Sequence, residues 1–282
     1  MEFLKFALLS NSLFSLTIGI ILTVQASSIS NLFGVQESWF FTALGIALVL
    51  FSTILFYIGR QKPIHPISAF VIIILDIMWV AGSAVILLLD PFNLTQTGNI
   101  LIGIVALIVL VITLLEARGL YLLDKNPKTG FKEFKYKRKV SANKSTAWKI
   151  ISDVANYHHV APNIDEVKVI SGLGEGMVRQ CSQGDGTWTE KCILWNEGVE
   201  YSFRVNTDAP SYPFPFSFLQ GTWKVQPINE RESIIEMLFE LQFSKKIYNL
   251  LLHPFMAPKF DKIVDELLDN WEGKIATEKL DT

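Results

Sequence analysis

Cysteine and histidine are scarce in this sequence of 282 residues, with two of the former and four of the latter. Two cysteines exclude a disulfide framework and a four-cysteine zinc site. His158 and His159 are adjacent, and His65 and His253 stand alone, so no ligand spacing emerges and neither a metal nor a cofactor is expected. Charge is scarce too, at 18% of residues against roughly 25% in an average soluble protein. Lys and Arg are missing altogether from 27–38 and from 90–99. Apolar residues fill the balance, half of the chain, with 20 Phe, 7 Trp and 7 Tyr. That aromatic content excludes a disordered chain.

The net charge of −2 conceals a division. Residues 1–124 carry four basic and six acidic side chains. Residues 125–139 carry seven basic ones against Glu133 alone, and residues 140–282 hold 14 basic and 20 acidic. The chain reads as an apolar block (1–124), a basic joint (125–139) running into a first strand, and an acidic domain (131–282).

In the apolar block four long runs stand out, Phe6–Val24, Trp39–Ile58, Ile67–Leu89 and Ile100–Leu115. A bilayer core of ~30 Å takes ~20 apolar residues in helical form, so four membrane spans are expected. Lys5, Arg60, Lys62 and the basic joint lie on one side of such a topology, and the two loops without Lys or Arg lie on the other. The positive-inside rule then puts both termini in the cytoplasm of an integral membrane protein, with the plasma membrane as the expected site. Val24-Gln25-Ala26 resembles a signal-peptidase site, but the run is long and its basic flank weak, so the first span is read as uncleaved. Asn93-Leu94-Thr95 matches a glycosylation acceptor, a pattern too common to carry weight. Asp76 lies about ten residues past Pro66, ~15 Å deep at 1.5 Å per residue. An acid at that depth is either functional or a structural polar contact; a Thr or Ser on a neighbouring helix is the expected partner. Asn11 and Glu116 sit shallower in their spans. Four short-looped spans of this kind read as an anchor.

Beyond the basic joint, Phe134, Tyr136, Arg138 and Val140 alternate with Lys135, Lys137 and Lys139, which is strand periodicity. The lysines either meet anionic lipid or form a solvated face. The pattern then predicts a helix near Ser145–Asp153, capped by Ser145 or Thr146, and strands at Ile164–Ser171, Met177–Cys181, Trp188–Trp195, Tyr201–Asn206, Gly221–Pro227 and Ser233–Phe243. Glycine turns fall at 172–176 and 184–186. A closing helix at about 258–279 carries Phe260, Ile263, Val264, Leu267, Leu268, Trp271 and Ile275 at helical spacing. Gly172-Leu173-Gly174-Glu175-Gly176 lies between strands, so it is not a dinucleotide fingerprint.

This order, with Tyr157 and Pro162 after the first helix, the Gly-Xaa-Gly-Xaa-Gly turn and Trp188-Thr189-Glu190 opening a strand, resembles the START/birch-allergen-like superfamily over about 131–279, in particular its polyketide cyclase/dehydrase and lipid-transport branch. The resemblance implies an α+β helix-grip domain, an antiparallel sheet around a long C-terminal helix enclosing an apolar cavity for a lipid-like ligand. The whole is then a four-span membrane α-helical bundle joined to that domain.

Alternation places Trp188, Glu190, Cys192 and Leu194 on one face, and likewise Tyr201 with Phe203, Trp223 with Val225, and Met237 with Phe239. With these faces inward, Trp188, Glu190, Tyr201, Phe203, Trp223, Met237 and Phe239 line the cavity. Glu190 is then either a buried acid paired with Arg179, suited to proton transfer, or half of a surface ion pair. His158 is a further weak candidate for catalysis. Cys181 and Cys192, on consecutive strands, are placed to face each other as reduced thiols. Pro210, Pro213 and Pro215 exclude a regular strand over 210–218, and Phe214 and Phe216 there form either a lid touching the bilayer or a loop packed on its own domain. The expected function is binding of a lipid or other hydrophobic small molecule on the cytoplasmic side. A cyclase/dehydratase-type enzyme using Glu190, or a regulatory module, is the alternative. Nucleic acid is not an expected partner, because the domain is acidic.

Overall fold

The computed structural model describes residues 2–278. These fall into two compact units divided between Leu123 and Asp124, with His253–Phe255 grouped with the first.

The first unit is helical: α1 (Glu2–Val24), α2 (Ala26–Phe33), α3 (Ser38–Arg60), α4 (Pro66–Leu89) and α5 (Gln96–Leu122). All but α2 are long and apolar enough to cross a bilayer. Helix α5 outruns its apolar core because Thr95 caps it, its Oγ1 accepting the Gly98 N–H at 3.0 Å. Helix α2, unexpected from the sequence, occupies part of a stretch read as loop and ends on Gly34 in the left-handed region. Large apolar side chains such as Leu13, Leu50, Leu107 and Leu114 point away from the bundle and stay exposed. A helix in water buries that surface; a helix in lipid has no need to.

Small residues let the helices approach. A Cβ on Gly45 of α3 would sit 2.6 Å from the carbonyl oxygen of Gly19 in α1, well inside contact distance. Gly45→Val is therefore expected to push α1 from α3 and to cost about 1–3 kcal/mol through overpacking. Thermal unfolding of the full chain in detergent reads this as a lowered Tm; an unchanged Tm would mean that the helices do not depend on this approach.

Asp76 is buried midway along α4, and its partner is Asn11 of α1 rather than a Thr or Ser. The same Asn11 amide also reaches Glu116 of α5, so residues that looked staggered in depth along their own helices meet in the bundle.

The second unit holds one seven-stranded antiparallel sheet, ordered β1-β7-β6-β5-β4-β3-β2. Its strands are β1 (Lys132–Val140), β2 (Glu166–Ser171), β3 (Val178–Gln183), β4 (Gly186–Asn196), β5 (Glu200–Val205), β6 (Phe216–Pro227) and β7 (Ser233–Phe243). Strands β2 to β7 form a meander, and β1 closes against β7. Helix α6 (Lys144–Ile151) and a 3-10 turn (Val154–His159) separate β1 from β2; α7 (Tyr248–Leu251) and the long α8 (His253–Glu278) follow β7. With α8 packed on the inner face, this is the helix-grip architecture.

Several boundaries move for physical reasons. Asn143, not Ser145 or Thr146, caps α6, its Oδ1 accepting the Thr146 N–H at 2.9 Å. Strand β6 starts at Phe216, directly after the last proline, so only 210–215 is loop. Helix α8 starts five residues before Pro258 and carries that proline inside it. Gly172, Gly174 and Gly176, all at positive φ, make the β2–β3 turn that the spacing predicts.

The lysine face of β1 is paired within the domain. Lys135 meets Glu133 at 2.7 Å, Lys137 meets Glu236 at 2.5 Å and Lys139 meets Glu232 at 2.6 Å. On the other face Tyr136 donates to Asp261 at 2.6 Å and Arg138 to Asp269 at 2.6 Å, which ties β1 to α8.

Candidate functional site

The inner face of the sheet and the apolar stripe of α8 enclose a cavity of about 90 Å³. Its deep side is built by Tyr157, Arg179, Trp188, Glu190, Phe203 and Trp223, all buried. Its rim is made by half-buried residues from three places: Asn163 and Ile164 after the 3-10 turn, Tyr212 and Phe214 in the β5–β6 loop, and Phe260 and Ile263 of α8. Strand alternation turns the β4 and β5 side chains inward. The 3-10 turn, packed against Trp271 of α8, swings Tyr157 in after them.

Arg179 and Glu190 face each other in register across β3 and β4. They form an ion pair at 2.7 Å with both side chains almost wholly out of water, so the surface-pair reading is overturned. Glu190 Oε2 accepts from Arg179 Nε and Nη2, and its Oε1 accepts from the Trp188 indole at 2.9 Å. Arg179 Nη1 donates to the Val154 carbonyl at 3.0 Å, which holds the 3-10 turn against the sheet. The guanidinium also lies 4.0 Å over the Phe203 ring and 5.0 Å over Tyr157. Burial disfavours its charge most strongly, but the Glu190 carboxylate, helped by Cys181 and Tyr157, outweighs that and raises its pKa above the usual arginine range. The same burial pushes the Tyr157 hydroxyl up.

Of the residues expected to line the cavity, Trp188, Glu190, Phe203, Trp223 and Phe239 do so. Tyr201 and Met237 do not, although both are buried on the inner face. Tyr201 instead donates its hydroxyl to the Ile151 carbonyl of α6 at 2.7 Å and stacks on Trp195 and Trp223. Leu194 leaves the inner face because a bulge in β4 between Cys192 and Leu194 breaks the alternation, and it is exposed. His158 does not line the cavity; the 3-10 turn sends Tyr157 in and His158 to a half-buried position beside exposed His159. Cys181 pairs with Trp188 and not with Cys192, and both cysteines are free. Desolvation raises both thiols, so neither is a nucleophile near neutral pH.

Phe214 turns its ring onto Trp188, at 6.0 Å between centroids, and lines the cavity. Phe216 is not in the loop; it opens β6 opposite Phe243.

Three features of the site were not visible in the pattern. Tyr212 lines the cavity with a buried hydroxyl that makes no hydrogen bond to any described residue. The Trp223 indole N–H approaches the Tyr157 hydroxyl without a hydrogen bond of good geometry. Gly221 of β6 is the third: a Cβ there would lie 2.4 Å from the Trp223 ring, which folds over the glycine to form the cavity wall.

Comparison with known proteins bears on this unit. Solved structures similar to the chain include the Zhui aromatase/cyclase from Streptomyces, at 13% identity over 52% of this chain and 94% of that one, TM-score 0.42. A START superfamily protein from Mycobacterium smegmatis has 12% identity over 52% of this chain and 99% of that one, TM-score 0.43. Norcoclaurine synthase from Thalictrum flavum has 15% identity over 52% of this chain and 87% of that one, TM-score 0.41. Among curated proteins none matches. The family model for polyketide cyclase / dehydrase and lipid transport matches residues 132–275, half of the chain and every element from β1 into α8. By that match the chain belongs to the polyketide cyclase / dehydrase and lipid transport family.

Proposed function

We propose that the second unit binds an uncharged, hydrophobic small molecule, and that the four apolar helices anchor it to a membrane. The observation that carries the binding reading is the cavity itself: its walls are mainly aromatic and aliphatic, and the only charged groups among the described residues that line it neutralise each other. An ionic ligand finds no net charge there to recognise. The unpartnered Tyr212 hydroxyl supports a ligand that presents one hydrogen-bond acceptor to the rim. A cavity of about 90 Å³ is smaller than one of roughly 150 Å³ that admits benzene. A ligand of lipid size therefore requires the half-buried rim, Phe214 above all, to swing out.

In this reading residues 1–124 are the anchor, 125–139 the joint and 131–282 the binding domain. The Lys and Arg distribution supports cytoplasmic termini, and the plasma membrane is the proposed site. Binding is preferred to cyclase or dehydratase chemistry because both Glu190 oxygens already accept from Arg179 and Trp188, which holds this carboxylate as a counter-charge instead of turning it toward a substrate.

Solvent extraction of the purified full chain, followed by mass spectrometry, tests the reading. A hydrophobic molecule should leave with the wild type and be absent from Gly221→Leu and Val205→Phe, two variants that fill the cavity from different strands. Equal extracts from the wild type and from folded forms of both variants would sink it.

A further inference from the structure

The helical unit contains a second polar centre that an anchor does not need. Asn11 Nδ2 donates to Asp76 Oδ2 at 2.7 Å and to Glu116 Oε1 at 3.0 Å. Asn11 Oδ1 accepts from Ser15 Oγ at 3.2 Å, on the side of the amide away from the two acids. Asn11, Asp76 and Glu116 are 1%, 4% and 0% exposed. We propose that these three residues form a proton-binding site, in which one exchangeable proton is held between the carboxyl groups of Asp76 and Glu116. The inference goes beyond ligand binding by the second unit and shares with it only the reading of the helices as membrane spans.

Charge is the first argument. Among the described residues neither carboxyl is in an ion pair. The other charged side chains on the helices packed here are Glu2 and Lys5 of α1, Arg60 of α3 and Arg118 of α5. Arg60 and Arg118 are exposed, and none of the four hydrogen-bonds to the centre. Two ionised carboxylates on one amide in an apolar bundle repel each other and forgo hydration worth many kcal/mol. A cation must be taken up.

The second argument is independent of that charge count. Glu116 Oε2 is buried and has no hydrogen-bond partner among the described residues. As an acceptor it faces no donor, whereas a proton turns the carboxyl into a donor toward the neighbouring acid. A bound metal ion fits worse. It wants several converging oxygens, and here an amide NH₂ group points its hydrogens into the centre. The step is a simple protonation: a hydronium ion of the bulk solvent gives up the proton, its O–H bond breaks as the carboxyl O–H bond forms, neutral water leaves, and one negative charge is cancelled.

Infrared spectroscopy of the full chain reconstituted in lipid vesicles tests this. The wild type at neutral pH should show the C=O stretch of a protonated carboxylic acid, shifted by transfer to D₂O. That band should be lost in Glu116→Gln or in Asp76→Asn, with tryptophan fluorescence reporting that the fold survives. Absence of the band in the wild type, or its persistence in both folded variants, would overturn the proposal. So would replacement of the band by carboxylate absorption that follows added sodium, since the centre would then hold a metal ion.

Discussion

Glu190→Ala is expected to destabilise the second unit by about 3–5 kcal/mol, because it strands the Arg179 guanidinium without its counter-charge. Arg179 is 2% exposed, and its one remaining partner would be the Val154 carbonyl at 3.0 Å. The rings of Phe203 and Tyr157 offer it only a weak cation–π attraction. The Trp188 indole loses its acceptor in the same stroke. Replacing both partners by apolar residues, Arg179→Met with Glu190→Leu, removes the buried charge and should recover most of the loss. Denaturant unfolding of the full chain in detergent, followed by near-ultraviolet circular dichroism, measures both variants. A loss under about 1 kcal/mol for the single change would mean that water reaches Arg179. A double variant no better than the single one would mean that the pair is needed for more than mutual neutralisation.

Trp271→Ala should cost a similar amount, about 3–5 kcal/mol, from lost burial and the void left behind. Trp271 is 1% exposed on α8 and packs on Tyr157 at 6.1 Å between centroids. One residue before it, Asn270 Nδ2 donates to the Val160 carbonyl at 2.8 Å, so the indole and the amide together hold the 3-10 turn against α8. Without the indole, Tyr157 loses the surface that turns it into the cavity. The same unfolding experiment should therefore report lower stability, and co-purified ligand should fall with it. Wild-type stability would show that the turn is held by Asn270 and Arg179 alone.

Much of this was legible in residue order. Phe134, Tyr136, Arg138 and Val140 announced β1, and the Phe260 to Ile275 stripe announced the grip helix, because period 2 and period 3.6 are local properties of a backbone with one buried face. The resemblance to the lipid-transport branch stood on the same order. The interior of the site was less legible. Tyr201 and Met237 share a face with Phe203 and Phe239, yet only the latter two border the cavity, because alternation assigns a face and not a distance along the strand. Leu194 escaped the pattern through a bulge, which no spacing rule anticipates. Tyr212 sits in a proline-rich loop without period, so nothing local says that its hydroxyl is buried.

The sequence by itself determined the four apolar spans, the charged joint, the strand and helix order and the family resemblance, since each depends on neighbours within a few turns or a strand's length. Only the tertiary structure decided that Arg179 and Glu190 are a buried pair, 11 residues apart in the chain, and that Asn11, Asp76 and Glu116 converge across separations of 65 and 105. A charge costs little at a surface and a great deal in an apolar interior. Its meaning therefore depends on what the fold packs around it, and packing between distant segments is written in no local pattern.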